Sequence, residues 1–187
     1  KAAVVDITDL FSVHDSEEVF IHKLNEMTDY FKSNDINTAI VQFNENKQGI
    51  VSVGTFSNEY EQAVYLKDRD ILIKLKKELK KNDIQLILSL ECSTLTDDEI
   101  EKTIAEMNKK YHPAGLVTEN YFGSDELLKT IREQIKDKFK NYYFGIRTDI
   151  EHAKNLSQNG IMNLFVIYSD MGDYSGSYVD WKKTDFA

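Results

Sequence analysis

The chain alternates between short apolar runs and segments of helical period along nearly its whole length. Between the runs, apolar residues recur every three or four positions, as at Phe20, Leu24, Met27 and Phe31. Alternating units of this kind form parallel sheets with right-handed crossovers. The sequence therefore predicts an α/β protein with about six strands. The predicted strands are AVVDIT (3–8), TAIVQF (38–43), IQLILSL (84–90), AGLVTENYF (114–122), YYFGIRT (142–148) and MNLFVIYS (162–169).

Capping residues indicate where several of the helices begin. Ser16 precedes two glutamates, and Thr96 with Glu99 has the form of a capping box. Ser124 is the candidate cap of a third helix. By contrast, residues 44–68 have no helical period, and GIVSVG (49–54) is predicted to form a short extra strand within a long excursion.

Two architectures fit repeated β–α units, an open doubly wound sheet and a (β/α)8 barrel. The open sheet usually carries a glycine-rich phosphate loop after its first strand. Here that segment reads TDLFSVHDS (8–16), and the chain has neither a Walker A motif nor a dinucleotide fingerprint. The pattern favours the barrel over a cytosolic open-sheet enzyme. We predict one TIM-barrel-like domain over residues 1–187, incomplete or shortened because six strands are fewer than eight.

Composition excludes several classes of partner. The net charge is −9, and the main basic run, residues 74–81, has apolar residues at helical spacing, so nucleic-acid binding is not expected. No apolar run is long enough to insert into a membrane. The single cysteine, Cys92, follows a strongly apolar strand and is interpreted as a structural thiol. Because the chain begins at Lys1 without Met, we expect a mature or trimmed segment.

Hydrogen-bonding side chains lie at the carboxyl end of each predicted strand, the end where α/β proteins place their active sites. Carboxylates, amides and aromatic hydroxyls in one ring would suit a sugar. Strand ends also meet solvent, so some of these acids could simply cap the following helix. The residues in question are Asp6, Gln42, Glu91, Glu119, Asn120, Arg147, Tyr168 and Asp170.

Hydrolysis of a glycoside requires two carboxyl groups, one of them protonated. We predict Glu119 as the general acid/base, with Glu91 or Asp170 as its partner. The histidines show no zinc-site spacing, and the region of Asp170 does not match an EF-hand loop. No metal and no cofactor are therefore expected.

The predicted strand 114–122 combines a glycine, an acid, an amide and two aromatic residues in the order AGLVTENYF. This segment resembles the DGIHLDDYFY segment of the glycosyl-hydrolase-like barrel family of bacterial surface proteins and lipoproteins. Residues 37–43 are similar to its second strand, 144–147 to its fifth and 162–168 to its sixth, and residues 178–181 to the Tyr and Trp stretch that follows. By position, Glu119 and Asn120 stand where the family has paired Asp residues, while Gln42 and Tyr168 match directly.

The resemblance implies a glycoside-hydrolase-like domain of a bacterial cell-surface or extracellular protein, acting on or binding a cell-wall or environmental polysaccharide. Asp6, Gln42, Asn120, Arg147 and Tyr168 would then contact the sugar. Ala114 replaces the motif's leading Asp and Val166-Ile167 replaces Pro-Gln, so a catalytically inactive glycan-binding or scaffold module is the alternative. Another domain or a second copy of the chain is expected to cover the open edge of the sheet.

Overall fold

The computed structural model describes residues 1–6, 15–46, 49–51, 71–136, 141–148 and 150–167. Strands and helices alternate within these ranges, apart from one hairpin. In chain order the elements are β1 (Ala2–Asp6), α1 (Glu17–Ser33), β2 (Thr38–Asn46), β3 (Gly49–Val51), α2 (Ile71–Lys81), β4 (Gln85–Glu91), α3 (Asp97–Tyr111), β5 (Gly115–Glu119), α4 (Asp125–Lys136), β6 (Tyr143–Thr148), α5 (Ile150–Gln158) and β7 (Leu164–Ile167).

Six of these strands form one parallel sheet in the order β1-β2-β4-β5-β6-β7. The short β3 pairs antiparallel with the end of β2, which confirms the extra strand predicted in the excursion. Strands that add one after another in chain order produce a curled sheet, as in a barrel, whereas a doubly wound sheet reverses direction. The fold is therefore an incomplete TIM-barrel-like half-barrel, as the sequence predicted.

The main hydrophobic core lies between one face of the sheet, here called the outer face, and the helices. All five described helices contribute buried side chains to it. From the sheet come Val41, Leu88, Leu90, Leu116 and Phe144, among others. Because helices pack on this face, its strand positions are mainly apolar, as expected of parallel strands, with Thr118 and Thr148 as buried polar exceptions.

The opposite face, here called the inner face, carries a separate and much smaller apolar cluster. It consists of Ile40, Ile87 and Val117, with Ala2 and Leu164 packed against it. Since side chains alternate along a strand, residues two positions further on share this face and lie closer to the carboxyl end. Gln42, Ser89 and Glu119 occupy such positions. The inner face is thus apolar toward the amino ends of the strands and polar toward their carboxyl ends.

Helix boundaries agree with the capping residues. Ser16 Oγ accepts a hydrogen bond from the backbone N–H of Val19, and Thr96 and Glu99 form both bonds of a capping box. The α1 stripe differs in one position, since Met27 is only partly buried and Thr28 takes the fully buried place.

One strand is shorter than predicted. The apolar run 114–122 suggested a continuous strand, but β5 ends at Glu119. Asn120 adopts a left-handed backbone with φ of 48°, which terminates the strand, and Asn tolerates this region better than most residues. The turn redirects the chain immediately after the principal candidate acid.

Candidate functional site

Four side chains meet on the inner face around Glu119 and are here called the Glu119 cluster. Glu119 is 3% exposed. Gln42 Nε2 donates to both of its carboxylate oxygens, at 2.8 and 2.9 Å, and Arg147 Nη1 donates to Oε2 at 3.0 Å. The hydroxyl of Ser89 donates to Oε1. The cluster therefore joins residues of β2, β4, β5 and β6.

The register of the sheet explains how these four residues meet. Gln42 and Ser89 are paired across β2 and β4 at the same level. Ser89 is level with Val117, so Glu119 stands two residues nearer the carboxyl end. Gly145 is level with Val117, which places Arg147 in the same upper layer as Glu119. Strand alternation then puts all four side chains on one face.

The hydrogen-bond donors around Glu119 offset the free-energy cost of burying its carboxylate. An unpaired buried carboxylate would lose its hydration, but here a guanidinium, an amide and a hydroxyl replace water. All three groups donate, which is the arrangement that an ionised, acceptor-only carboxylate accommodates. Within the described ranges, every buried side-chain nitrogen or oxygen has a hydrogen-bond partner. Glu119 is consequently held in one position.

A second carboxylate, Glu91, lies level with Glu119 on the adjacent strand. It is also buried, and it accepts hydrogen bonds from the backbone N–H of Ser93 at 2.9 Å and from Asn120 Nδ2 at 2.8 Å. Because neighbouring strands lie about 4.8 Å apart, the two carboxylates arise from adjacent backbones on the same face. The inner face therefore holds a pair of acids at the carboxyl end of the sheet.

Asn120 contributes to this pair indirectly. Its left-handed backbone points the chain away from β5 while its amide nitrogen binds Glu91 Oε2. The side chain of Asn120 therefore holds the carboxylate of Glu91 in place, whereas its contact with a sugar stays a prediction.

The neighbouring thiol of Cys92 does not have the environment of a nucleophile. Burial, followed by the charge of Glu91, raises the pKa of Cys92 to about 12. A thiol with that pKa stays protonated at neutral pH, and the thiolate is the reactive form. The interpretation of Cys92 as a structural residue of the main core agrees with this environment.

The eight residues predicted for the site therefore fall into four groups. Glu119, Gln42 and Arg147 are in direct contact, and Glu91 with Asn120 lies beside them. The backbone of Asp6 pairs with Gln42 at the β1 edge. Tyr168 and Asp170 lie outside the described residues.

Ser89 was missed, although the sequence contains a signal for it. It is the one hydroxyl residue within the strand IQLILSL and is two residues from Glu91, on the same face. A run that is apolar at nearly every position predicts a strand covered on both faces, where a single Ser would be a core position. Only the register with β5 places its hydroxyl beneath Glu119.

No group of three His, Cys, Asp or Glu side chains lies together as a metal site in the part of the chain that the structure describes. Among the same residues, no helix has the length and apolarity needed to cross a bilayer. A cavity of about 390 Å³ lies at the opposite, amino end of the strands, with Lys76, Lys80 and His112 in its wall. Lys76 Nζ donates to the backbone carbonyl of Tyr111 at the end of α3. Because this cavity lies at the amino end of the strands, it is separate from the Glu119 cluster.

Comparison with known proteins supports the fold and leaves the activity open. No family model matches the chain. No curated protein matches its sequence either. Among solved structures, the chain is similar to a noncanonic maltogenic α-amylase, AmyB, from Thermotoga neapolitana, with a TM-score of 0.60 and 6% identity. The match covers 88% of this chain and 48% of the amylase, so the chain spans about half of that enzyme's length.

Two further structures are similar at lower scores. A GH18 chitinase from Pseudoalteromonas aurantia gives a TM-score of 0.45 at 9% identity, covering 71% of this chain and 59% of the chitinase. A family GH13_31 enzyme gives 0.49 at 12% identity, covering 85% of this chain and 50% of the enzyme. At such identities the amylase match shows a TIM-barrel-like fold alone, and the two weaker matches add no argument.

Proposed function

We propose that this chain is a glycoside-hydrolase-like domain that binds polysaccharide on its inner face. The observation that carries the proposal is the Glu119 cluster, an ordered group of charged and amide side chains at the carboxyl end of a half-barrel. Ligands of barrel enzymes bind at this end of the strands. The opposite end of the sheet offers no comparable set of paired acids and bases within the described residues.

The chemistry of the cluster suits sugar hydroxyl groups, which both donate and accept hydrogen bonds. Gln42 and Arg147 are half-buried, so a ligand can approach their outer atoms while their inner atoms hold Glu119. A site whose polar groups are already oriented loses little conformational entropy when it binds. This pre-organisation is what a glycan-binding surface requires.

Binding is favoured over hydrolysis by the hydrogen bonds of Glu119. A general acid must carry a proton that it can deliver to the leaving group. Glu119 instead accepts from Gln42, Ser89 and Arg147, all of which act as donors toward it. The cluster therefore resembles a fixed anion that orients its neighbours more than an acid ready to donate.

Hydrolysis is the second candidate, and the level pairing of Glu91 with Glu119 favours it. In this alternative Glu119, fixed and ionised, would be the nucleophile or the charge-stabilising group. Glu91, which is held by the backbone N–H of Ser93 and the amide of Asn120, would handle the proton. Retaining glycosidases place two carboxyl groups about 5 Å apart, a separation that adjacent strands can provide.

The proposal extends to location and partners. The resemblance of residues 114–122 and 144–147 to bacterial surface proteins supports a place at the bacterial cell surface. The six strands of the half-barrel support a further domain or a second copy of the chain at its edges, because an uncovered strand edge promotes unwanted pairing.

A panel of peptidoglycan, chitin, xylan and starch tests the proposal. Binding and release of reducing sugar would be measured for the wild type and for Glu119→Gln, with Glu106→Gln as the matched control on the exposed side of α3. We expect wild-type binding that falls at least about tenfold in Glu119→Gln alone, the equivalent of about 1.4 kcal/mol. Turnover that disappears in Glu119→Gln while binding persists would favour hydrolysis. No binding to any polysaccharide by the folded wild type would overturn both.

A further inference from the structure

Phe122 is the most exposed large apolar side chain in the part of the chain that the structure describes. It is 86% exposed and lies in the loop between β5 and α4, three residues after Glu119. Isolated apolar residues are common on protein surfaces and need no explanation by themselves. What sets Phe122 apart is the ordered loop that presents it at the carboxyl end of the sheet.

The residues on both sides of Phe122 anchor this loop. Tyr121 is buried at 7% exposure, and its hydroxyl donates to the carbonyl of Ser124 at 2.8 Å. Burial, followed by the charge of Asp97, raises the pKa of Tyr121 to about 12, so the hydroxyl remains a donor at neutral pH. Gly123 packs so closely that a Cβ atom there would overlap the ring of Tyr121.

The ends of the loop are fixed as well. Asn120 holds Glu91 through its side chain at the start of the loop. At the other end, Ser124 Oγ accepts the backbone N–H of Leu127 at 3.3 Å and so begins α4. A loop fixed in this manner holds its one exposed aromatic ring without further ordering.

We propose that Phe122 is an aromatic platform on which a sugar ring of the bound polysaccharide packs, next to the Glu119 cluster. The inference rests on the proposed function. Three residues of chain span at most about 11 Å, so the ring lies within reach of an oligosaccharide held at Glu119. The C–H groups on one side of a sugar ring form an apolar surface, and an exposed Phe gains contact area by covering it.

The pre-organised loop is expected to make this contact favourable. A flexible loop would lose conformational freedom on binding, whereas the loop around Phe122 is already ordered by Tyr121 and Ser124. Phe122 would supply apolar contact area, while the outer atoms of Gln42 and Arg147 bind the hydroxyl groups.

The test measures polysaccharide affinity by affinity electrophoresis and compares three variants with the wild type. It uses each polysaccharide of the panel that retards the wild type. Phe122→Ala removes the ring, Phe122→Trp keeps an aromatic surface, and Tyr30→Ala removes a 62% exposed aromatic ring from α1. We expect at least a tenfold loss of affinity for Phe122→Ala, affinity within threefold of the wild type for Phe122→Trp, and no change for Tyr30→Ala. Urea unfolding would verify that each variant remains folded.

Three results would overturn the proposal, and they can be told apart. Wild-type affinity in Phe122→Ala would remove the platform while leaving the proposed function in place. A wild type that binds no polysaccharide would remove the proposed function and the platform together. Light scattering would reveal a third contradiction, namely that Phe122→Ala dissociates a dimer, since the ring would then contact a second copy of the chain.

Discussion

The two faces of the sheet differ in what holds their side chains. On the outer face, Leu88, Leu116 and Phe144 are completely buried against helices. On the inner face, a layer of three apolar residues gives way to Gln42, Glu119 and Arg147, which are held by hydrogen bonds and charge. Apolar packing is non-directional, whereas hydrogen bonds specify positions.

This difference shows how the molecule separates stability from function. The outer face supplies the burial that forms the sheet, so the inner face can carry polar groups that contribute less to folding. Loss of an outer residue should therefore affect stability first, and loss of an inner one should affect binding first, except where the loss leaves a buried charge without its partner. Three predictions test this separation, beginning with the largest effect.

Truncation of neighbouring residues on β6 should separate the two faces most clearly. Phe144→Ala removes a fully buried outer ring, and we expect a loss of about 3–5 kcal/mol in the free energy of unfolding. Tyr143→Ala, at a 38% exposed inner position, should cost only about 1 kcal/mol. Urea unfolding at pH 7 measures both. Equal losses would contradict the separation.

Removing one partner of the Arg147–Glu119 ion pair on the inner face should lower the free energy of unfolding strongly. Arg147→Met leaves the buried Glu119 without its cation, and we expect a loss of about 3 kcal/mol, since breaking a buried pair exposes the cost of the remaining charge.

Adding Glu119→Gln to Arg147→Met removes that charge and should recover part of the loss. A double-mutant cycle measures the coupling between the two side chains. Strictly additive losses would indicate that Arg147 contributes nothing specific to Glu119.

The third and smallest effect concerns alkaline pH at the end of β4. Cys92 belongs to the main core, and burial raises its pKa from 9.0 to about 12. Because the folded protein holds the neutral thiol, its contribution to stability is complete below pH 9 and declines as the pH rises toward 12. The slope is at most about 1.4 kcal/mol per pH unit for one group.

Urea midpoints of the wild type and Cys92→Ala between pH 8 and 10 measure this contribution. We expect the wild type to lose stability more steeply than the variant above pH 9. Parallel curves would show that the thiol titrates alike in the folded and unfolded chains. The hydroxyl of Tyr121 adds to this loss of stability above pH 10, because burial raises its pKa from 10.0 to about 12 in the folded protein.

The outer face was predictable from sequence because its pattern is periodic. Apolar residues of α2 and α3 recur every three or four positions, a spacing that predicts a buried helix face, and the structure buries them: Leu72, Leu75, Leu79, Ile100, Ile104, Met107 and Tyr111. The alternation of units predicted the parallel sheet, and the structure has the incomplete TIM-barrel-like form that the sequence favoured over a doubly wound sheet. Local sequence determines these features through burial alone.

The inner face was only partly predictable because it depends on register between distant strands. The carboxyl ends of the strands gave Gln42, Glu119 and Arg147, but their hydrogen bonds required the levels of four strands. Ser89 lies within an apolar run, so the sequence did not mark it as a site residue. The left-handed turn at Asn120 ends β5 at Glu119, although the apolar run 114–122 predicted a longer strand. Neither follows from periodicity.

The central claim is that the Glu119 cluster, on the inner face, is where a glycan binds. The most direct test is an NMR titration of the isotope-labelled protein with a soluble oligosaccharide fragment of the polysaccharide that binds best. The backbone and side-chain amide resonances would be followed. We predict shifts concentrated at Gln42, Glu119 and Arg147, with the outer residues Leu88 and Phe144 unaffected. Shifts concentrated at Lys76 and His112, at the opposite end of the strands, would contradict the account.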